Sequence, residues 1–255
     1  MRILLYSGGM DSYLIKQLWK PKYSFYVNLA SNYSQKEMEH LRQNREDIRL
    51  VRGIELSRFE REDFIIPYRN VYLILGVLNE YERLHPIEKM ETDHEIVELC
   101  MGATAGDRVL DKSPEFAERL SGLLTYLSTP QHWTGGKSRE IRVVLPFKNY
   151  TKRDLLREYI ESSGMSKTEA LEQAWYKSFS CYTPNKWGQP CGKCKPCFRK
   201  TIAFTLEGYK NTSAILDARD YIMETGIWDQ IQQGTYGRAE EEKDIIQFME
   251  ETEEW

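Results

Sequence analysis

The sequence lacks several features, and each absence excludes a class of protein. No stretch approaches the roughly 18 consecutive apolar residues that a membrane span needs, and the start MRILLYSGGMDSY has no secretory signal pattern. We therefore expect a cytoplasmic protein with no membrane partner. Cysteine is scarce, since five cysteines in 255 residues are too few for the disulfide scaffold of a secreted domain. In a reducing compartment, clustered cysteines favour metal binding instead.

A strongly basic face is also missing. The formal net charge is −4, of which residues 240–255, EEEKDIIQFMEETEEW, contribute −7, so the rest of the chain carries only +3. We expect no direct nucleic-acid binding, because that would require a basic patch, whereas a small phosphorylated ligand remains compatible. Ile245, Ile246, Phe248 and Met249 recur at loosely helical spacing. The acidic tail is thus predicted to form a helix that packs on the body or on a partner.

Apolar strand candidates alternate with helix candidates through the first 146 residues. The predicted strands are Arg2 to Tyr6, Tyr23 to Leu29, Ile48 to Arg52, Ile96 to Gly102 and Ile141 to Pro146. The predicted helices cover about Ser12 to Trp19, Gln35 to Asn44, Asn70 to Arg83 and Pro114 to Leu127. This alternation predicts an α/β fold, with a parallel sheet covered by helices on both faces and ligands bound beyond the carboxyl ends of its strands.

The pattern becomes helical after Pro146. Thr151 with Asp154 predicts a capped helix that ends at Gly164, and a further helix is predicted in MSKTEALEQAWYKSF. Two more follow a turn-rich, cysteine-bearing segment, in FRKTIAFTLEGY and TSAILDARDYIMETG. We divide the chain into a nucleotide-binding α/β domain at 1–146, a helical and metal-binding part at 147–238 and an acidic tail at 239–255. Apolar helix faces in the second half would allow a homodimer.

The cysteine segment carries the strongest local signal. Cys181, Cys191, Cys194 and Cys197 have the spacing C-x9-C-x2-C-x2-C. Two-residue gaps let neighbouring thiolates reach one centre, and four thiolates complete a tetrahedral zinc site with no open position. The sequence therefore predicts a structural Zn²⁺, with an iron–sulfur cluster or free thiols as the alternatives. Cys100, alone in an apolar strand, is interpreted as a buried small residue.

The stretch LLYSGGMDS at Leu4 to Ser12 places two glycines directly behind an apolar strand. It fits either a tight strand-to-helix turn or a phosphate site at a helix N-terminus. It has no lysine, so it is not a Walker loop. A second stretch, QHWTGGKSRE, ends like a Walker loop, but Gln131 stands where the first glycine is required and no strand precedes it. We interpret that second stretch as a solvated loop.

Ser7, Gly8, Gly9, Met10, Asp11 and Ser12 match the SGGxDS signature of the PP-loop ATP pyrophosphatases. With the late four-cysteine knuckle, the chain resembles the 7-cyano-7-deazaguanine synthase (QueC) family, in a divergent form such as those of phages and antiviral operons. The likeness extends to IPYRN at 66–70, which resembles the family's PGRN segment. It continues through the loop GATAGDRVLDKSPEF at 102–116, LPFKNYTKRDL at 145–155 and SFSCY before the cysteines.

The resemblance implies an adenine nucleotide alpha hydrolase-like fold and a ligase that forms carbon–nitrogen bonds in queuosine biosynthesis. In that family, ATP activates 7-carboxy-7-deazaguanine as an adenylate, ammonia gives the amide, and a second activation gives the nitrile. The SGGxDS residues would then hold ATP, and Asp11 would bind Mg²⁺ or orient the turn. Lys152 and Arg199 would stabilise phosphoryl charge, unless they are plain surface cations. Expected substrate contacts are Tyr33, Gln35, Arg69, Asn70 and either Asp107 or Asp111, for which loop capping is the alternative.

The chain also departs from the family pattern. Tyr33-Ser34-Gln35-Lys36-Glu37 stands where the family usually has tyrosine-glycine-glutamine-arginine-histidine, so an arginine and a histidine are lost. The loop after the fourth strand is about two residues shorter and lacks the usual cysteine. Activation should survive these changes, whereas the amine or the product need not be the usual one. The alternatives are an enzyme that stops at the amide or joins the deazaguanine to a protein amine in antiviral defence, and an inactive zinc-knuckle binding module.

Overall fold

The computed structural model describes residues 1–31, 34–44, 47–62, 65–186 and 189–254. The chain forms two compact units. Unit 1 consists of Met1–Ser7, Trp19–Ala103 and Asp107–Pro146. Unit 2 consists of Gly8–Leu18, Thr104–Gly106 and Phe147–Trp255.

Unit 1 is built on a parallel sheet. Its strands in the described residues are β1 (Arg2–Leu5), β2 (Tyr23–Val27), β3 (Arg49–Val51), β4 (His94–Met101) and β5 (Ser138–Val144), in the spatial order β3-β2-β1-β4-β5. Ile3 in the central strand pairs with Tyr23 on one side and with Leu99 on the other. Because all these pairings are parallel, the segments that follow β1, β2 and β4 leave the sheet at the same edge.

Both faces of the sheet are buried. Helices α2 (Ser34–Gln43), α3 (Arg69–Leu84) and α4 (Pro114–Leu127) belong to this unit, and α3 and α4 pack their apolar stripes against one face. Residues that alternate toward the other face, such as Leu4 and Cys100, are also fully buried. A sheet buried on both faces explains why its strands appear in the sequence as nearly continuous apolar runs.

Unit 2 is helical. It contains most of α1 (Met10–Trp19), together with α5 (Lys152–Ser162), α6 (Lys167–Lys177), α7 (Lys195–Leu206), α8 (Thr212–Glu224), α9 (Ile227–Gln232) and α10 (Ala239–Glu251). Two of these helices begin with complete capping boxes, Thr151 with Asp154 and Ser166 with Glu169. Each box satisfies backbone N–H groups that the first helical turn would leave without partners.

The acidic tail is an integral helix of unit 2. Ile245, Phe248 and Met249 on α10 are buried in a cluster with residues of α7, α8 and α9, including Phe198 and Ile222. The prediction that the tail folds into a packed helix is therefore confirmed. Glu240, Glu241 and Glu242 lie in its first turn, where the positive end of the helix dipole stabilises negative charge.

The predicted α/β class, the parallel sheet and the helical, cysteine-bearing second half are confirmed. Element ends differ by a few residues: β4 and β5 begin earlier than their apolar runs, and α7 begins before Phe198. The short helix α9 was not predicted. The division at 1–146, 147–238 and 239–255 stays a prediction. No helix in the described part of the chain has both the length and the apolar character needed to cross a bilayer.

Candidate active site

The SGGMDS turn joins β1 to α1. Gly8 has φ of 78°, a left-handed conformation that glycine adopts without the penalty of a side chain. The helix starts with the Tyr13 N–H donating to the Gly9 carbonyl at 3.0 Å, and the Ser12 hydroxyl donates to the same carbonyl at 3.0 Å. The turn thus presents the N-terminus of α1, which is the positive end of its dipole and a suitable place for an anion.

Asp11 and Lys152 form an ion pair within unit 2. Lys152 is the first residue of α5, and its Nζ donates to Asp11 Oδ1 at 2.5 Å. Both side chains are about a quarter exposed, at 26% and 23%. The pair therefore joins the first turn of α1 to the first turn of α5. Two helix N-termini and an ammonium group concentrate positive potential that a phosphate group can use.

Arg199 lies on α7 and lines the same small cavity as Lys152. Its Nε and Nη2 donate to the Glu241 carboxylate on α10 at 3.1 and 2.7 Å. The structure therefore brings together Asp11, Lys152 and Arg199 in unit 2, but Arg199 already holds an anion. Glu241 was not among the residues predicted for the site. Its signal was the run of glutamates that opens the tail helix.

The four predicted metal ligands form one cluster. The Sγ atoms of Cys181, Cys191, Cys194 and Cys197 all lie within 4.8 Å of one another. Thiolates bound to zinc at about 2.3 Å are separated by about 3.8 Å in a tetrahedron, so the cluster fits a zinc ion with little movement. The Cys191 N–H donates to the Cys181 sulfur at 3.2 Å, as a backbone donor to a thiolate would. Hydrogen bonds from Cys181 and Cys197 hold the pKa of the Cys194 thiol far below its usual range.

The two residues just before Cys181 contact the glycine turn. The Phe179 N–H donates to the Gly8 carbonyl at 2.8 Å, and Met10 N–H donates to the Ser180 hydroxyl at 3.1 Å. Cys197 Sγ in turn lies 3.1 Å from the Ser180 carbonyl oxygen. The cluster and the turn are therefore linked through Ser180, within unit 2.

The predicted substrate residues in unit 1 are only partly brought together. Asn70 is buried, and its Nδ2 donates to the backbone carbonyl of Asp111 at 3.2 Å. Asp107 forms an ion pair with Lys112 at 3.1 Å, so its carboxylate is held within its own loop. Gln35 is exposed in the first turn of α2. Tyr33 lies outside the described residues.

The family model described as queuosine biosynthesis protein QueC matches residues 64–208, which is more than half of the chain. The chain belongs to the QueC family. A protein named 7-cyano-7-deazaguanine synthase from Methanocaldococcus jannaschii is 23% identical over 155 residues, covering 60% of this chain and 57% of that protein. One of the same name from Sulfolobus acidocaldarius is 27% identical over 101 residues, covering 40% of this chain and 18% of that protein. No solved structure gave a significant match.

Glu37 stands where the QueC pattern usually has a histidine. Its carboxyl group is hydrogen-bonded and has a raised pKa. Its Oε2 accepts a hydrogen bond from the Tyr26 hydroxyl at 2.7 Å. Burial raises the pKa of Glu37 to about 7, against the lowering effects of the Tyr26 hydrogen bond and the positive charge of Arg69. The carboxyl group therefore changes protonation near neutral pH, and it feels the positive charge of Arg69, a predicted substrate residue.

We expect the free energy of unfolding to fall as the pH rises, because the carboxyl group of Glu37 loses its proton. Its folded pKa of about 7 exceeds the unfolded value of 4.5, so its contribution is complete below pH 4.5 and is lost as the pH rises through 7. The free energy of unfolding of the wild type, relative to that of Glu37→Gln, should fall by about 1 to 3 kcal/mol between pH 5 and pH 8. Urea unfolding at both pH values measures this. An identical pH dependence in the two proteins would contradict the raised pKa.

Tyr68 is a second departure that the sequence analysis did not interpret. It stands at the glycine position of the family's PGRN segment and has φ of 60°, directly before α3. Its side chain is 76% exposed. The backbone thus keeps the left-handed conformation that a glycine adopts freely, although a bulky residue occupies the position. The signal was present in the sequence, since a family glycine replaced by tyrosine marks a special backbone position.

Proposed function

We propose that the protein activates 7-carboxy-7-deazaguanine with ATP as an adenylate and converts it with ammonia to 7-cyano-7-deazaguanine through the amide. The observation that carries the proposal is the Asp11–Lys152 pair, which links the N-termini of α1 and α5 directly behind a left-handed Gly8. Membership of the QueC family supplies the reaction class. The name that the relatives carry supports the choice of substrate.

The proposed chemistry needs an activated carboxylate, because a free carboxylate is a poor electrophile. A carboxylate oxygen of the base attacks the α-phosphorus of ATP, the bond to the β-phosphate oxygen breaks, and pyrophosphate leaves. Ammonia then attacks the acyl carbon, its nitrogen loses one proton and AMP departs, which gives the amide. A second ATP activates the amide oxygen in the same way, and loss of AMP and two protons leaves the nitrile.

Residues of this chain have separate parts in that scheme. The N-terminus of α1 would hold the leaving pyrophosphate, and Lys152 would stabilise the charge that develops on the phosphoryl oxygens. Asp11 offers the carboxylate oxygens that Mg²⁺ prefers, and the ion would neutralise phosphate charge when bound. The four cysteines fit Zn²⁺ with all positions filled, so the metal would be structural.

The presence of Glu37 supports a second candidate function. In it, the amine is not free ammonia or the reaction stops at the amide. The family's arginine and histidine are absent after β2, and Lys36 and Glu37 are present instead. Such a change leaves the residues proposed for adenylation intact but alters the charge of the segment after β2. Transfer of the deazaguanine to a protein amine, as proposed for divergent relatives in antiviral defence, would use the same activated intermediate.

The test is incubation with ATP and 7-carboxy-7-deazaguanine, with pyrophosphate release measured in the presence and absence of ammonia. We expect release that depends on the base, and a product with the mass of the nitrile when ammonia is supplied. Release without conversion beyond the amide would favour the second candidate. No release under either condition would contradict both, and would favour the inactive binding module.

We expect Glu37→Gln to shift the ratio of amide to nitrile severalfold while the rate of adenylation stays within about twofold. The substitution removes a proton acceptor but keeps the size of the side chain. By contrast, Asp107→Ala should weaken binding of the base, because it removes the carboxylate that is proposed to accept hydrogen bonds from the base in place of Lys112. Single-turnover assays with mass analysis of products separate the two effects. A Glu37→Gln enzyme that loses adenylation and nitrile in parallel would contradict this division of roles.

A further inference from the structure

Glu241 occupies a nearly complete anion-binding site in unit 2. Its carboxylate accepts two hydrogen bonds from Arg199, one from the Tyr236 hydroxyl at 3.1 Å and one from Arg238 at 3.3 Å. The side chains of Arg199 and Glu241 are only 17% and 18% exposed. Burial and the charge of Glu241 raise the pKa of Tyr236 to about 12, which keeps its hydroxyl protonated as a donor. Such a set of charge-assisted donors is typical of sites for phosphate groups.

The backbone at Gly106 lies very close to the carboxylate of Glu241. Gly106 comes so close that a Cβ atom at this position would lie 2.5 Å from Glu241 Oε1. Arg238 also donates to the Gly106 carbonyl at 3.0 Å, which holds the loop against the start of α10. A side chain at position 106 would therefore displace the Glu241 carboxylate from its present place beside the two arginines.

The cavity next to this site is too small for a nucleotide while Glu241 stays in place. It has a volume of about 40 Å³ and is lined by residues including Lys152, Arg199, Glu241 and Asp244. That volume accommodates about one to three water molecules, not a chain of phosphates. Arg199 Nε and Nη2 both donate to Glu241, so a phosphate group that uses these two donors displaces its carboxylate.

We propose that Arg199, Arg238 and Tyr236 form a binding site for a phosphate group of the nucleotide or of pyrophosphate, and that Glu241 is its displaceable internal ligand. The first turn of α10 then acts as a gate, since the anion and Glu241 compete for the same donors. The inference rests on the proposed function for the identity of the anion. The buried residues Ile245 and Phe248 anchor the rest of the helix, so only its start needs to move.

Inorganic pyrophosphate tests the proposal without requiring adenylation or the deazaguanine. Glu241→Gln keeps the shape of the side chain and removes the competing charge. We expect it to lower the dissociation constant for pyrophosphate about tenfold in calorimetric titrations at low salt, which is about 1.4 kcal/mol. Glu242→Gln is the matched control, because it removes the same charge from the same helical turn and should change the constant less than about twofold.

Two further measurements separate displacement from a general charge effect. Saturating pyrophosphate should speed amide exchange in residues 239–245 of the wild-type protein, because the first turn of α10 releases its contacts. Adding Arg199→Met to Glu241→Gln should abolish the gain in affinity. The proposal is overturned by equal constants for the two glutamine variants, by an absence of pyrophosphate binding, by unchanged exchange, or by a gain for acetate with none for pyrophosphate. The proposed function fails separately, if the substrates release no pyrophosphate.

Discussion

Replacing Lys152 with methionine is expected to lower the rate of pyrophosphate release from ATP about a hundredfold or more, with the fold retained. Methionine keeps the length and much of the apolar stem of lysine but removes the ammonium group that contacts Asp11 at 2.5 Å. The capping box of Thr151 and Asp154 remains, so α5 should still begin at the same residue. Initial rates of pyrophosphate release measure the effect, and thermal melting checks the fold.

Lys167→Met is the matched control for that substitution. Lys167 is also the first residue of a helix with a capping box, but it is 59% exposed and its nearest carboxylate, on Glu207, is 3.9 Å away. Its loss should leave the rate within about twofold, since an exposed pair of this kind contributes little. If both variants lost activity equally, the effect would be one of general charge. A fully active Lys152→Met enzyme would remove the phosphate from this site.

The features that were predicted correctly from the sequence are those that depend on short sequence patterns. The SGGMDS turn, the Thr151 capping box and the two-residue cysteine gaps each depend on residues only a few positions apart. Their physical causes are equally local: positive φ at Gly8, the free N–H groups of a first helical turn and the reach of neighbouring thiolates. For this reason the sequence was sufficient to predict the turn and the grouping of the four cysteines.

The start of β5 shows why other boundaries were missed. The strand begins at Ser138 and includes Arg139, which is 3% exposed although it is charged. Its guanidinium pairs with Glu82 and, at 2.8 Å, with Glu95, residues more than 40 positions earlier in the chain. A buried arginine is tolerated only with such partners. Nothing in the local pattern of residues 138–141 indicates them.

The same limit applies to the candidate site. Glu241 is hydrogen-bonded to Arg199, which lies 42 positions earlier in the sequence. Asn70 is hydrogen-bonded to Asp111, which lies 41 positions later. The acidic tail predicted a helix, and Arg199 predicted a phosphate contact, but the run of glutamates does not indicate that one of them contacts Arg199. Contacts between distant segments depend on how the elements pack within each unit, which periodicity alone does not determine.

Removing the metal from the cysteine cluster is expected to have the second large effect, on folding. The protein as purified should contain about one zinc per chain, and Cys194→Ser should lose it, because three thiolates no longer complete the tetrahedron. Structural zinc sites contribute roughly 10 kcal/mol or more of folding free energy. Unit 2 should therefore melt or exchange its amides before the sheet of unit 1 does. Metal analysis and hydrogen exchange measure the two consequences.

Cys100→Ala is the control for the loss of a sulfur atom. Cys100 is fully buried in β4 and lies outside the cluster, so its replacement should leave the zinc content unchanged even where it lowers stability. An equal loss of zinc in both variants would indicate general unfolding instead of lost coordination. Wild-type zinc content and melting in Cys194→Ser would contradict the assignment of the ligands.

The contacts of Ser180 extend this prediction to activity. Ser180 lies next to Cys181, its hydroxyl accepts the Met10 N–H, and the adjacent Phe179 N–H holds the Gly8 carbonyl. Chelation of the metal should release this segment and, with it, the turn that is proposed to hold pyrophosphate. We therefore expect chelator-treated protein to lose pyrophosphate release at temperatures where the sheet of unit 1 is still intact, and to regain it when Zn²⁺ is restored. Full activity in metal-free protein would show that the turn keeps its conformation without the cluster, and that Ser180 is not a necessary support.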